Sequence, residues 1–214
     1  MITVYGEGRG FRVVWLLEEL GLPYRLRGVD LLASVENDAE FLAINPAGFI
    51  PAIVDGDVTM VESIAIMEYL MARYGPTPLA PTAHDAAFPA YQQYLHLGEA
   101  GLAGPMNAVF IGRELAPEAQ RNARVTCWAL ETFHSRLGLV IRRLADRPYL
   151  AGDQFTAADI SVSYALLLGL RTGNYVPGPI ERDYLTRMTA RPAYDRSMES
   201  CQATKAWAAR SPGL

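Results

Sequence analysis

The chain has 214 residues, half of them hydrophobic, a formal net charge of −4 and a pI of about 5.4. That length and apolar content suffice for a real core in one or two domains. The mild acidity, without any basic stripe, excludes nucleic acid as a partner, and no apolar run is long enough to span a membrane. The N-terminal stretch MITVYGEGRGFR lacks the basic-then-apolar order of a signal peptide. Cys127 and Cys201, the two cysteines, lie far apart and outside any C-x-x-C or metal-ligand spacing. A reducing, cytoplasmic setting follows as the default. Cys127 falls in a helical pattern and is expected to be a small buried apolar residue. His84, His96 and His134 form no ligand motif.

Ile2 to Tyr5 alternates weakly and reads as a first strand. Gly6-Glu7-Gly8-Arg9-Gly10 is a turn with three glycines. It is neither a Walker loop nor a dinucleotide fingerprint, because both the following Gly-Lys-Ser/Thr and the glycine spacing are missing. From Phe11 the pattern is helical. Val13, Leu16, Leu17 and Leu20 share a face, Val14 and Trp15 flank it, and Glu18 and Glu19 are expected outward. Gly21 and Pro23 end this helix. Tyr24 to Val29 is a second strand, and Asp30 to Glu40 a polar connection with room for a short helix.

Pro51 has no N–H and suits the start of a strand over Ala52-Ile53-Val54. Asp55-Gly56 between apolar runs signals a tight hairpin, with Val58 to Val61 as the returning strand. Glu62-Ser63 ends that strand. Ile64, Met67, Leu70 and Met71 then recur at helical spacing, with Ser63 as the expected N-cap and Gly75-Pro76 as the stop. The order strand, helix, strand, strand, strand, helix is the thioredoxin-like arrangement, a mixed sheet covered by helices. Thioredoxin chemistry is disfavoured, since the first loop holds no cysteine.

The stretch from Gly75 to Pro89, with prolines at 76, 78, 81 and 89, marks a linker. Everything beyond it is helical in character. Phe88 to about Gly112 is one long pattern with a kink expected at Gly104-Pro105. Pro117 is expected to open a helix running to about Arg147. Thr156 and Asp159 form a capping box before an apolar run to Leu170, with Asp in place of Glu or Gln. Pro179 to Ala190 and Pro192 to about Trp207 are two further helices. The chain is therefore α+β: a thioredoxin-like domain over 1–76, a linker over 77–88, and an all-α domain over 89–214.

An acid and a hydroxyl at a helix N-terminus make a polar pocket suited to an α-amino acid head group. Glu62 would take the ammonium, and Ser63 with the helix N–H groups would take the carboxylate. Taken alone, the pair reads first as a cap and a solvated charge. The whole stretch from Asn45 to Tyr69 resembles the glutathione-site segment of the cytosolic glutathione transferases. WLLEELGLPY, INPAGFIPAIVDGD, YLAGDQFTAADISV and ARPAYDRSM extend the resemblance along the chain. It implies that Pro51 is cis, that Ile50 pairs its backbone with the cysteinyl part of glutathione, and that Glu62 and Ser63 hold the γ-glutamyl end. Phe49 stands where many members carry Lys or Gln, which removes a polar contact to the tripeptide. Thr156 and Asp159 match the family's buried folding motif and are structural.

The resemblance also implies glutathione as co-substrate, its thiol activated for attack on a small apolar electrophile, or a peroxidase or isomerase variant of that chemistry. A homodimer is implied as well. A free thiol titrates near ~8.5, so only a few per cent is thiolate at pH 7. One charge-assisted hydrogen bond, about 1.5–3 kcal/mol, lowers that value by one to two units. The family supplies this bond from a Tyr or Ser near the end of the first strand, or carries a Cys there. Here the Ser position is Gly8, and the loop has no Cys. Three sources remain: the Arg9 cation, backbone N–H groups freed by Gly8 and Gly10, and Tyr5 as the side-chain alternative. Glu7 would repel a thiolate and is expected to point away. The wall of the acceptor pocket is expected from Tyr94, His96, Leu97, Glu99, Met106 and Phe110. A non-catalytic binding module that kept the fold is the competing reading, favoured by the loop substitutions and opposed by Pro51, Glu62 and Ser63.

Overall fold

The computed structural model describes residues 1–31, 35–121 and 123–208. Two compact units emerge among the described residues: Met1–Thr77 with residues 190–208, and Pro78–Thr189. The first is built on a four-stranded sheet in the order β2-β1-β3-β4. Its strands are β1 (Ile2–Tyr5), β2 (Tyr24–Arg27), β3 (Ala52–Asp55) and β4 (Val58–Val61). β1 and β2 are parallel, as a helical crossover requires, and the crossover is α1 (Phe11–Leu20). β3 runs antiparallel to both β1 and β4. Gly56 and Asp57 form the two-residue hairpin loop, with Gly56 at φ +60°.

The sheet's two faces are filled by different residues, because side chains alternate along each strand. Val4 pairs with Ile53 across β1 and β3, and both are fully buried. Tyr5 pairs with Ala52 on the other face. There it joins Phe41 in a cluster ringed by Val35, Ile44, Ile50, Val54 and Val61. Phe41 belongs to α2 (Ala39–Ile44), a helix placed slightly beyond the polar connection read from the sequence. Asp38 starts it by accepting a hydrogen bond from the Phe41 N–H at 3.0 Å. Arg27 donates to the same carboxylate and holds it below the usual carboxylate range, with the Phe41 N–H adding to the effect.

Every residue of α1 from Phe11 to Leu17 is buried. α9 (Pro192–Ser200) packs against it. Tyr194 of α9 packs edge-on against Phe11 and Trp15, with ring centroids 5.6 and 5.0 Å apart. Arg191 donates twice to Glu19, at 2.6 and 2.8 Å, and Arg196 donates to Glu18 at 2.7 Å. The two glutamates therefore do not face solvent as the helical pattern predicts. Their partners lie more than 170 residues away, outside the reach of any local pattern. The last helical stretch divides at Cys201 into α9 and α10 (Gln202–Ala208).

In the second unit, residues 88–115 follow one helical path: α4 (Phe88–His96), a π-wound stretch Leu97–Ala103, α5 (Gly104–Phe110) and a second π-wound stretch Ile111–Leu115. The wide turn sits just ahead of Pro105. Pro105 has no N–H, and its ring crowds the preceding carbonyls. Gly104 N–H instead donates to the Glu99 carbonyl five residues back, which opens the helix at that point. The next helix, α6, spans Arg124–Asp146 and begins later than Pro117, which opens only a 3₁₀ turn over Glu118–Gln120. Cys127 on α6 is exposed, against expectation, because the apolar stripe of α6 is carried by Ala129, Phe133, Leu137, Val140 and Leu144. Cys201 is buried.

α7 (Ala157–Arg171) is buried along its whole length, and α8 (Pro179–Thr189) follows it. Asp159 closes the capping box by accepting from Thr156 N–H at 2.9 Å. It also accepts from Leu150 N–H at 3.0 Å and Tyr184 O–H at 3.1 Å. Burial pushes its carboxyl up to about 6 from 3.8, and these bonds oppose the shift without cancelling it. The folded state thus keeps a proton that the unfolded chain has lost, so this group's contribution to stability falls as pH rises from about 4 to about 6. Denaturant melts of wild type and Asp159→Asn across that window should show wild type losing up to about 3 kcal/mol relative to the variant. A constant difference would mean that the hydrogen bonds offset the burial.

Candidate functional site

Three loops of the first unit meet at one end of the sheet. Strand pairing sets Tyr5 opposite Ala52, and Ala52 opposite Val61. The next residue outward on each strand is Gly6, Pro51 or Glu62. The register therefore brings the 6–10 loop, the Phe49–Pro51 segment and the Glu62-Ser63 pair together, although they are far apart in sequence. The contacts agree. A Cβ built on Gly6 would lie 2.3 Å from Ile50 Cγ2, and one on Gly10 would lie 3.4 Å from Pro51 Cβ. Gly6 also has φ +86° and donates its N–H to the Arg27 carbonyl at 2.8 Å. Glycine is required there twice, for its dihedral angle and for its missing side chain.

The Ile50–Pro51 bond is cis, as is Gly75–Pro76. Pro51 is buried, Ile50 half-buried and Phe49 exposed. The segment is held from behind by Asn45, itself buried, whose Nδ2 donates to the Phe49 carbonyl at 2.7 Å. Asn45 Oδ1 accepts from the Ala47 N–H at 3.2 Å, which closes the preceding turn. Asn45 was legible only as the first residue of the motif; its supporting role appears with the folded loop.

Glu62 is the one non-glycine residue with positive φ among the described residues, at φ 70° and ψ 104°. A conformation of this kind costs of order 1–3 kcal/mol and persists only where its surroundings impose it. It occupies the N-cap position, its carbonyl accepting from Ile66 N–H at 2.9 Å. Ser63, expected at the cap, is instead the first residue of α3 (Ser63–Tyr74) and is buried. The reason is that β4 runs to Val61, so one residue alone must turn the chain from strand to helix.

Gly8–Gly10 form a 3₁₀ turn that runs straight into α1. The Gly10 N–H is given to the Glu7 carbonyl at 3.2 Å and the Phe11 N–H to the Gly8 carbonyl, so what this end of the site presents is the start of the turn and the positive end of a dipole. Arg9, half-buried, sits inside the turn. Glu7 points elsewhere, its carboxylate accepting from Thr204. Tyr5 lies on the α2 face of the sheet, its ring stacked 6.2 Å from Phe41 and lying 5.8 Å from the Arg27 guanidinium carbon. It is a buried strand aromatic there, part of the core on that face. Arg12, in the first turn of α1, is fully buried. Its only signal in the sequence is an arginine interrupting the apolar run Phe11-Arg12-Val13-Val14.

Comparison with known proteins bears on this arrangement. Residues 2–72 match the family described as glutathione S-transferase, N-terminal domain. Glutathione S-transferase 3 of Zea mays is 32% identical over 206 residues, covering 87% of each chain. The chain belongs to the glutathione S-transferase family. Glutathione S-transferase GstB of Escherichia coli (strain K12) is 27% identical over 202 residues, covering 90% of this chain and 95% of that one. A theta class glutathione S-transferase from Xanthomonas axonopodis pv. citri, solved with glutathione bound, superposes with a TM-score of 0.79 at 28% identity. It covers 92% of this chain and 96% of that structure.

Within this glutathione S-transferase the residues foreseen for the acceptor wall divide. Met106 is fully buried inside the helical unit, with Thr172 Oγ1 3.9 Å from its sulfur. Tyr94 is buried as well and donates to the Leu139 carbonyl at 3.1 Å. Both are committed to the helical core. Leu97, Glu99 and Phe110 are half-buried, and His96 is exposed. Among the described residues no cluster of His, Cys, Asp and Glu has metal-binding geometry. Gly6→Ala should destabilise the protein by about 1–3 kcal/mol, since the methyl group meets Ile50 and the dihedral is unfavourable. A denaturant midpoint within error of wild type would show that the loop moves away without cost.

Proposed function

We propose that this chain binds glutathione in its first unit and activates the thiol for attack on a small apolar electrophile. The observation that carries the reading is the meeting of the Gly6–Gly10 loop, cis Ile50–Pro51 and Glu62-Ser63 at one sheet end. In this reading Glu62 takes the ammonium of the γ-glutamyl end. Ser63 and the first N–H groups of α3 take its carboxylate. Ile50 pairs its backbone with the cysteinyl part, and exposed Phe49 lies beside the tripeptide without a polar contact. The relatives named as transferases, and a related structure with glutathione bound, support glutathione as the co-substrate.

The sulfur is stabilised by backbone N–H groups at the start of the Gly8–Gly10 turn and by the Arg9 guanidinium. With no hydroxyl or thiol at position 8, charge and backbone dipoles replace the side-chain donor. A cation and a set of fixed donors both favour the thiolate over the thiol. Tyr5 is the less favoured source, since its ring is packed against Phe41. A homodimer and a cytoplasmic setting belong to the proposal as well, the latter in keeping with the exposed thiol of Cys127.

Ultraviolet titration of the bound thiol tests the reading. Its pKa should lie one to two units below the free value of about 8.5. Arg9→Ala should raise it more than Tyr5→Phe does, and the reverse order would hand the role to Tyr5. Binding with an unshifted pKa would make the protein a glutathione-binding module without thiol chemistry. Glu62→Ala and Ser63→Ala should each weaken glutathione binding about tenfold or more, as expected for a lost hydrogen bond to a charged group. Unchanged affinity in both variants, measured by calorimetry, would remove the head-group assignment.

A further inference from the structure

Glu7 is the second residue of the Gly6–Gly10 loop, and its carboxylate is engaged by Thr204. One oxygen, Oε2, accepts from the Thr204 backbone N–H at 2.8 Å and from the Thr204 hydroxyl at 3.1 Å. Thr204 is 5% exposed and lies 197 residues further along the chain. It is the third residue of α10, ahead of the first intrahelical bond, which runs from Lys205 N–H to the Cys201 carbonyl. Glu7 thus supplies from a distance the acceptor that an N-cap side chain would supply locally, and it sets a negative charge at the positive end of the helix. Cys201, at the cap position, has no side-chain oxygen to offer. A helix of seven residues is marginal in water without tertiary support.

The attachment is part of a larger clasp. α9 holds α1 through Arg191–Glu19 and Arg196–Glu18, and Ser200 accepts from the Tyr24 hydroxyl at 2.9 Å. α10 follows at once, so its first turn is delivered to the loop by a helix already fixed to α1. The loop between β1 and α1 is pinned at both ends by Gly6 against Ile50 and Gly10 against Pro51. Glu7 fixes the stretch between these pins.

We propose that Glu7 is a positioning residue for the glutathione site. By anchoring to Thr204 it orients the Gly8–Gly10 turn, and so couples occupancy of the site to the docking of α10. This rests on the reading under Proposed function. Because linkage is reciprocal, a ligand that favours the anchored loop must also favour docked α10, and losing the anchor must weaken that ligand.

Hydrogen exchange at the Thr204 amide, read with and without glutathione, tests both halves. In the unliganded protein Glu7→Ala should speed exchange at Thr204 about tenfold or more, the worth of one charge-assisted hydrogen bond. Glu7→Gln, which keeps an acceptor oxygen, should restore much of the protection. Glutathione should slow exchange at Thr204 in wild type and bind several-fold more weakly to Glu7→Ala. Unchanged exchange in Glu7→Ala overturns the anchor. Faster exchange with unchanged glutathione affinity overturns the positioning role. Failure of wild type to bind glutathione removes the functional reading and the coupling with it, while the ligand-free exchange still decides the anchor.

Discussion

The site depends on strand register. Tyr5, Ala52 and Val61 form one row across β1, β3 and β4, and every other candidate residue lies just beyond that row or in a loop adjoining it. A slip of one residue would exchange the two faces of a strand, moving Val4 or Ile53 out of the core and Glu62 away from Pro51. The hydrophobic alternation that buries Val4 and Ile53 therefore also aligns the three loops. Gly56 and Asp57 fix the register of β3 with β4, and the α1 crossover leads β1 into β2.

Chemistry at the sheet end follows from what the loops can offer. No side-chain hydroxyl or thiol stands in the Gly6–Gly10 turn, so donors there are backbone N–H groups and the Arg9 cation. Glycine at positions 6, 8 and 10 keeps the turn close to Ile50 and Pro51, with the first two at positive φ. The acidic residue of the loop is engaged by Thr204, through both its backbone N–H and its hydroxyl. At the opposite loop, strain is concentrated in Glu62, whose backbone turns β4 directly into α3. A polar head group facing that turn meets a carboxylate and helix-start donors together.

The capping box in the second unit uses the same physics for another end. Asp159 is fully buried and bonded to Thr156, Leu150 and Tyr184, so it joins the start of α7 to the preceding turn and to α8. A carboxyl in this setting fixes geometry and is more easily kept protonated than an exposed one. Its work is the placement of a helix buried on all sides, not chemistry.

Much of this was legible in the sequence because the signals were local. The Asp55-Gly56 hairpin, the Gly21 stop, the Thr156/Asp159 box and the alternation of β1 each lie within a few residues of what they determine. The motif around Pro51 named the loop segments, and the glycines of the first turn announced a close approach. Tertiary structure alone decided the rest, because the partners are remote. Glu18 and Glu19 look solvated until Arg196 and Arg191 arrive from α9, and Glu7 looks like a loop charge until α10 places Thr204 against it. Ser63 lost the cap to Glu62 because β4 ends where its pairing with β3 ends, and Tyr5 was claimed by Phe41 from a helix that propensity barely marked. Periodicity reports which face of an element is apolar; it carries no information about which distant charge or ring will meet that face.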